Sequence, residues 1–148
     1  MSKSKGNGVA PRDMAAKYGV DTLRMAIMFG APPENDLNFD EKQLKDMKSF
    51  LDKVARMGDK IKEIKVKEID LKNKAFGSII DLLIDYEVKI NDQRYFHVAI
   101  ARLMEIANIV QKRINERDES SIIMYALLLR SLYPFSPHLT SELWRELC

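Results

Sequence analysis

Ser2, Lys3, Ser4, Lys5, Gly6 and Asn7 stand side by side at the start of the chain. A lysine ammonium on its flexible stem can follow a phosphoryl oxygen as negative charge builds on it. Serine hydroxyls and glycine-freed backbone amides beside it add hydrogen bonds. A segment of this kind suits closure over a polyphosphate, where one well-placed donor stabilises developing charge by about 3 kcal/mol. Taken alone, the same residues also fit an N-terminal tail or an expression scar, since short Lys/Ser-rich stretches are common at chain ends.

A second group of cations, Arg94, Arg102, Lys112 and Arg113, falls around one expected helix, with Tyr95 and Phe96 near its start. Basic side chains mixed with aromatics suit a nucleic-acid-facing surface that contacts phosphate and ribose. Other polar groups read as structural. Asp81, Asp85, Glu116, Asp118 and Glu119 belong to solvated helix faces and turns, and His97 and His138, at helix starts, are structural hydrogen-bonding groups. Ser136 and Ser141 have no histidine and carboxylate at a spacing that would make either a nucleophile. One cysteine, Cys148, and two histidines allow neither an internal disulfide nor a metal cluster. The eight methionines fall mostly at apolar helical positions, as core filler.

Those groups must be positioned by helices. With 46% hydrophobic and 31% charged residues the 148-residue chain is globular rather than disordered, and it can bury one ordinary core. A net charge of +2 neither demands nor excludes nucleic acid. The longest apolar run, about Ile122 to Leu129, is too short to span a bilayer and is closed by Arg130. No secretory signal is apparent.

Pro11 suits the first turn of a short helix that Gly19 ends, and Asp21 is placed to cap a second helix, through Met25 and Phe29, that Gly30 stops. Consecutive prolines in Ala31-Pro32-Pro33-Glu34-Asn35-Asp36 forbid helix, which puts a boundary there: residues 1–39 as loop and linking helices, residues 40–148 as a bundle. In the bundle Leu44, Met47, Leu51, Val54, Gly58, Ile61 and Ile64 form one stripe at helical spacing. A helix near Leu71 to Asn91 should turn Phe76, Ile80, Leu83, Tyr86 and Ile90 inward. Another, about Phe96 to Asn115, presents Ile100, Leu103, Ala107, Val110 and Ile114. The segment from about Ser120 to Tyr133 is apolar nearly all round, which predicts the most central position. Pro134 ends it, and Pro137 starts a closing helix carrying Leu139, Leu143 and Trp144. The expected class is all-α, an antiparallel helical bundle.

The opening segment resembles the second signature of class I aminoacyl-tRNA synthetases, Lys-Met-Ser-Lys-Ser, whose first lysine would precede Met1. Gly8-Val9-Ala10-Pro11, Tyr18 through Arg24 and Ala31-Pro32-Pro33-Glu34-Asn35-Asp36-Leu37 follow in the order seen in leucyl-tRNA synthetases. Phe96 through Glu105 resembles that family's Phe-Asn-Thr-Ala-Ile-Ala-x-Leu-Met-Glu helix, and Pro134-Phe135-Ser136-Pro137-His138 through Trp144 its Pro-Phe-x-Pro-His segment. His97 replaces the usual Asn, and Ala10 the Asp usual in bacterial members.

The resemblance implies the C-terminal part of a leucyl-tRNA synthetase catalytic body, from the phosphate loop through an anticodon-binding-type bundle. Lys3 would be its catalytic cation, and Ser2, Lys3, Ser4, Gly6 and Asn7 its ATP-binding loop. ATP would be a substrate carrying magnesium, leucine tRNA and the rest of the synthetase the partners, and no membrane is involved. Leucyl enzymes rely little on reading anticodon bases, so tRNA contact at Arg94, Arg102, Lys112 and Arg113 would be to phosphate and ribose. The chain alone lacks the nucleotide-binding sheet and should be inactive. The sequence style is bacterial or organellar, and Pro137 through Trp144 leans toward animal mitochondrial members, giving mitochondrial matrix or bacterial cytoplasm. A stand-alone RNA-binding or protein-interaction bundle is the alternative, and it would have no use for a phosphate loop at residues 1–7.

Overall fold

Gly19 makes the first break in the helical backbone. In a computed structural model, which describes residues 11–30 and 41–147, its φ of 93° lies in the left-handed region and its N–H donates to the Ala15 carbonyl at 2.9 Å. Glycine reaches that conformation without strain. It separates α1 (Pro11–Tyr18) from α2 (Val20–Gly30). Then come α3 (Glu41–Ile61), α4 (Lys74–Ile90), a short 3-10 helix (Gln93–Tyr95), α5 (Phe96–Asn115), α6 (Ser121–Leu132) and α7 (Pro137–Leu147). The described residues contain no strand, and the class is all-α, a helical bundle.

Local chemistry sets the ends. The Asn73 side chain caps α4 by accepting from the Ala75 N–H at 3.0 Å. α5 stops in a turn in which the Asp118 N–H reaches back to the Arg113 carbonyl and the Arg117 N–H to that of Ile114, with Arg117 at φ 55° where glycine is usual. Glu119 then accepts from the backbone N–H groups of Lys67 and Glu68, both at 2.6 Å, and Asp118 accepts from the Asn73 side chain at 2.7 Å. The two acids expected as surface charge thus fasten the α3–α4 connection to the α5–α6 turn.

Among the described residues the core runs through all seven α-helices. On α3 the buried stripe is Leu44, Met47, Phe50, Leu51, Val54, Met57, Gly58 and Ile61. α5 contributes Ile100, Leu103, Ile106, Ala107 and Val110, all fully buried, and touches α2, α3, α4 and α6. The central helix is therefore α5, not the uniformly apolar α6. Ile122, Ile123 and Leu127 of α6 are only half-buried, because its neighbours cover the Met124, Leu128 and Leu132 side. Gly58 brings α3 and α6 together. A Cβ there would lie 2.8 Å from the Tyr125 hydroxyl, which donates to the Val54 carbonyl at 2.9 Å.

On α4 the inward face is Phe76, Ile79 and Tyr86, with Leu83 and Ile90 packed against it. Ile80, expected inside, is 50% exposed. Ile79 and Ile80 are equally apolar, so spacing alone does not choose between them. The Tyr86 hydroxyl chooses, by donating to the Ser131 carbonyl of α6. Burial drives the Tyr86 and Tyr125 hydroxyls to ionise well above the ordinary tyrosine value. The α6–α7 corner is held by Phe135, whose ring meets those of Phe96 and Tyr86 edge-on at 5.8 and 6.5 Å.

Candidate nucleic-acid interface

The phosphate-loop residues Ser2, Lys3, Ser4, Gly6 and Asn7 lie outside the described residues; α1 and α2, the next helices along the chain, lie within them. α2 is tied to the α6–α7 corner by two side chains. The Arg24 guanidinium donates to the Pro134 carbonyl at 3.1 and 3.3 Å. Asp21, expected to cap its own helix, instead accepts from the Leu139 N–H at 2.7 Å and the His138 N–H at 3.5 Å, and its Oδ1 meets His138 Nδ1 at 2.9 Å. It caps α7. The reason is placement: Asp21 is the second residue of α2, buried at the contact with α7, where that helix presents unpaired first-turn amides.

α1 is tied to the start of α3 at Glu41, whose carboxylate accepts from Lys17 Nζ at 2.8 Å and the Tyr18 hydroxyl at 2.6 Å. The Lys17 ammonium, then the Tyr18 hydroxyl, hold the Glu41 carboxyl down at about 2. The same hydrogen bonds, donated to Glu41, raise both Lys17 and Tyr18.

Of the four cations expected to meet tRNA, three sit in intramolecular ion pairs. Arg94, in the 3-10 helix, pairs with Asp92 at 2.7 Å and lies over the Tyr95 ring. Arg102 is shared between Asp85 of α4 and Glu105, both at 2.7 Å, and the Asp85 bond raises its pKa further. Arg113 pairs with Glu116 at 3.1 Å, and its Nε is buried with no partner. Lys112 is exposed and unpaired among the described residues. Arg102 and Arg113 are eleven residues apart, which places them on nearly one face of α5 about 16 Å apart, with Lys112 about a quarter-turn away. The structure thus aligns two of the four and leaves Arg94 and Lys112 off that line.

A groove that the sequence did not flag opens between the end of α6 and α7. It encloses about 540 Å³ and is lined by Arg130, Tyr133, Thr140, Ser141, Trp144 and Arg145 over a floor of buried Leu129. Trp144, which hydrophobicity would send inward, is 42% exposed, because Leu143 takes the buried position beside it. A signal existed in the sequence: the chain's one tryptophan is followed directly by an arginine, and Arg130 closes the apolar run.

Comparison with known proteins bears on what such surfaces serve. Residues 1–40 match the family described as class I tRNA synthetases (I, L, M and V). Over 99% of its length the chain is 40% identical to the leucine–tRNA ligases of Trichormus variabilis and of a Nostoc species, and 35% identical to that of Thermosipho melanesiensis. Over this length the chain is similar to the leucyl-type class I tRNA synthetases. It spans 18% of the length of the Trichormus and Nostoc relatives, so it corresponds to one segment of those enzymes. Its fold agrees, at a TM-score of 0.78 and 25% identity, with 20% of the LeuRS of Agrobacterium radiobacter K84 agnB2, solved as a ternary complex with tRNA and LeuAMS. No helix among the described residues is long and apolar enough to cross a membrane.

Proposed function

We propose that this chain serves as the phosphate-loop and helical-body segment of a leucine–tRNA ligase. The observation that carries the reading is the match along 99% of the chain, at 40% identity, to leucine–tRNA ligases. In the proposed reaction leucine and ATP form leucyl-adenylate and pyrophosphate, and the leucyl group then passes to the terminal ribose of leucine tRNA. Lys3 neutralises charge on the phosphates as the α-phosphorus is attacked. Ser2 and Ser4 shape the loop and bond the nucleotide, Gly6 and Asn7 permit its turn, and magnesium arrives with ATP. The remainder of the synthetase holds the nucleotide and edits, so the chain alone is inactive.

The fastening of α2 to α7 through Asp21, and to the α6–α7 corner through Arg24, supports a positioning role: it fixes the helices that come after the loop against the bundle. Phosphate contact by Arg94 of the 3-10 helix, or by Arg102 or Arg113 of α5, exchanges a carboxylate for a phosphate, so each contributes less than an unpaired cation such as Lys112. The bacterial relatives named above support work in a bacterial cytoplasm; the mitochondrial matrix rests on the resemblance of Pro137 through Trp144 alone.

The test is an enzyme in which this chain replaces the matching segment of the Nostoc relative. Lys3→Ala should lower leucine-dependent ATP–pyrophosphate exchange by roughly a hundredfold or more and leave leucine affinity intact. Lost leucine affinity with unchanged turnover would overturn the role given to Lys3.

A further inference from the structure

The α6–α7 groove combines three features that occur together nowhere else among the described residues. Its aromatic walls are open: Tyr133 is 54% and Trp144 42% exposed. Its volume of about 540 Å³ lies within the range of roughly 300–1,000 Å³ typical of sites for small organic groups. At its rim Arg130 and Arg145 are exposed, and neither has a carboxylate partner among the described residues, unlike the guanidiniums of Arg94, Arg102 and Arg113.

Charge decides the class of occupant. An apolar peptide laid in the groove would desolvate two guanidiniums without pairing them, which is costly. A nucleotide satisfies both features: its base presents a flat face to tryptophan and tyrosine, and its phosphates present paired oxygens to arginine forks. A duplex keeps its bases stacked inside and offers the groove no face, whereas an unstacked base does. The buried Thr140 hydroxyl is already committed to the Ser136 carbonyl at 2.8 Å, while Ser141 is exposed at the rim.

We propose that the α6–α7 groove binds single-stranded RNA, with an unstacked base against Trp144 and Tyr133 and its flanking phosphates on Arg130 and Arg145. The inference rests on the reading of the chain as a tRNA ligase segment for the identity of the RNA, a loop or end of leucine tRNA. It moves the main RNA contact from the ion-paired cations of α5 to the far side of α6.

Trp144 is the only tryptophan in the chain, so its emission reports on this groove alone. The 148-residue chain is titrated with a short single-stranded RNA, with a blunt RNA duplex and with leucine tRNA. Tryptophan emission and the anisotropy of labelled RNA are both read. Saturable quenching is expected with the single strand and the tRNA and not with the duplex. Arg130→Gln and Arg145→Gln, which leave the helices intact by circular dichroism, should each flatten the log–log salt dependence by about 0.7. Trp144→Ala should weaken binding about 5- to 150-fold, and Trp144→Phe far less.

Unchanged salt slopes in both arginine variants, or no quenching by single-stranded RNA, would overturn the proposal. So would a blue shift of Trp144 on adding the remaining part of the Nostoc relative, with no response to RNA, which would mark the groove as a protein contact. Leucine tRNA bound with equal affinity by all the variants would remove the groove but leave the ligase reading standing. Quenching by the short strand without any binding of leucine tRNA would uphold the groove and remove the ligase reading.

Discussion

Gly58→Ala should destabilise this protein, and the same substitution made beside Tyr125→Phe should stabilise it. An added Cβ would lie 2.8 Å from the Tyr125 hydroxyl, which cannot swing away cheaply because it is anchored on the Val54 carbonyl at 2.9 Å and the side chain is 1% exposed. Forcing such a contact costs about 1–3 kcal/mol. Against this, alanine in a helix interior is favoured over glycine by about 0.5–1 kcal/mol. The net is a loss of about 1 kcal/mol. Tyr125→Phe alone gives up one buried hydrogen bond, about 1 kcal/mol. In that background the atoms nearest the new methyl become Leu143 Cδ2 at 3.5 Å and the ring carbon Cζ at 3.6 Å, ordinary contact distances. The clash is gone and only the helical preference remains, so Gly58→Ala should then gain about 0.5–1 kcal/mol. Urea unfolding followed by helical circular dichroism, on the wild type, both single variants and the double variant, measures the coupling directly. Equal effects of Gly58→Ala in the two backgrounds would refute the idea that the hydroxyl sets the α3–α6 approach.

The supports of α1 and α2 can be tested in the same way. Asp21→Ala removes the carboxylate that caps α7 and should cost about 0.5–2 kcal/mol in urea unfolding, while Asp21→Asn, which keeps an accepting oxygen, should cost less; equal losses would point to the charge rather than the cap. Glu41 has its carboxyl lowered from 4.5 to about 2 in the folded chain, so its contribution is present above pH 4.5 and fades as the pH falls toward 2. Glu41→Gln should flatten the pH dependence of the unfolding midpoint in that window, weakly and less at high salt because the pair is half-exposed; an unchanged acid limb would show that the pair adds nothing.

Helix existence and extent were legible where apolar spacing met strong punctuation. Phe96 to Asn115 reads as a helix from its stripe alone and is α5, and Pro134 and Pro137 bracket the corner between α6 and α7. The inward face was legible only where the opposite face was polar. α3 alternates its stripe with lysines and reads correctly as far as Ile61, where the helix ends short of the expected Ile64, whereas Ile79 and Ile80 on α4 offer two apolar faces that only the Tyr86–Ser131 bond separates. Uniform hydrophobicity misled at α6, because it reports what a helix tolerates rather than how many neighbours cover it. Asp21 was misread for a related reason: a carboxylate near a helix start suits a cap, but sequence does not say whose. Arg94, Arg102, Lys112 and Arg113 could be named from charge, yet Asp85, which neutralises Arg102, comes from another helix and only folding brings it within 2.7 Å. The groove residues escaped notice because Arg130 and Tyr133 lie at the end of α6, Trp144 and Arg145 on α7, and its aromatics resemble core.

Whether this chain can act as the loop-and-bundle segment of a leucyl ligase is decided by one reaction. Leucyl-tRNA formation from leucine, ATP and leucine tRNA is measured for the Nostoc enzyme carrying this chain in place of its own matching segment. ATP-dependent charging is expected within about tenfold of the unaltered enzyme, the rate difference that a change of about 1.4 kcal/mol in barrier allows. A chimera that folds and binds leucine as the unaltered enzyme does, yet forms no leucyl-tRNA, would contradict that role.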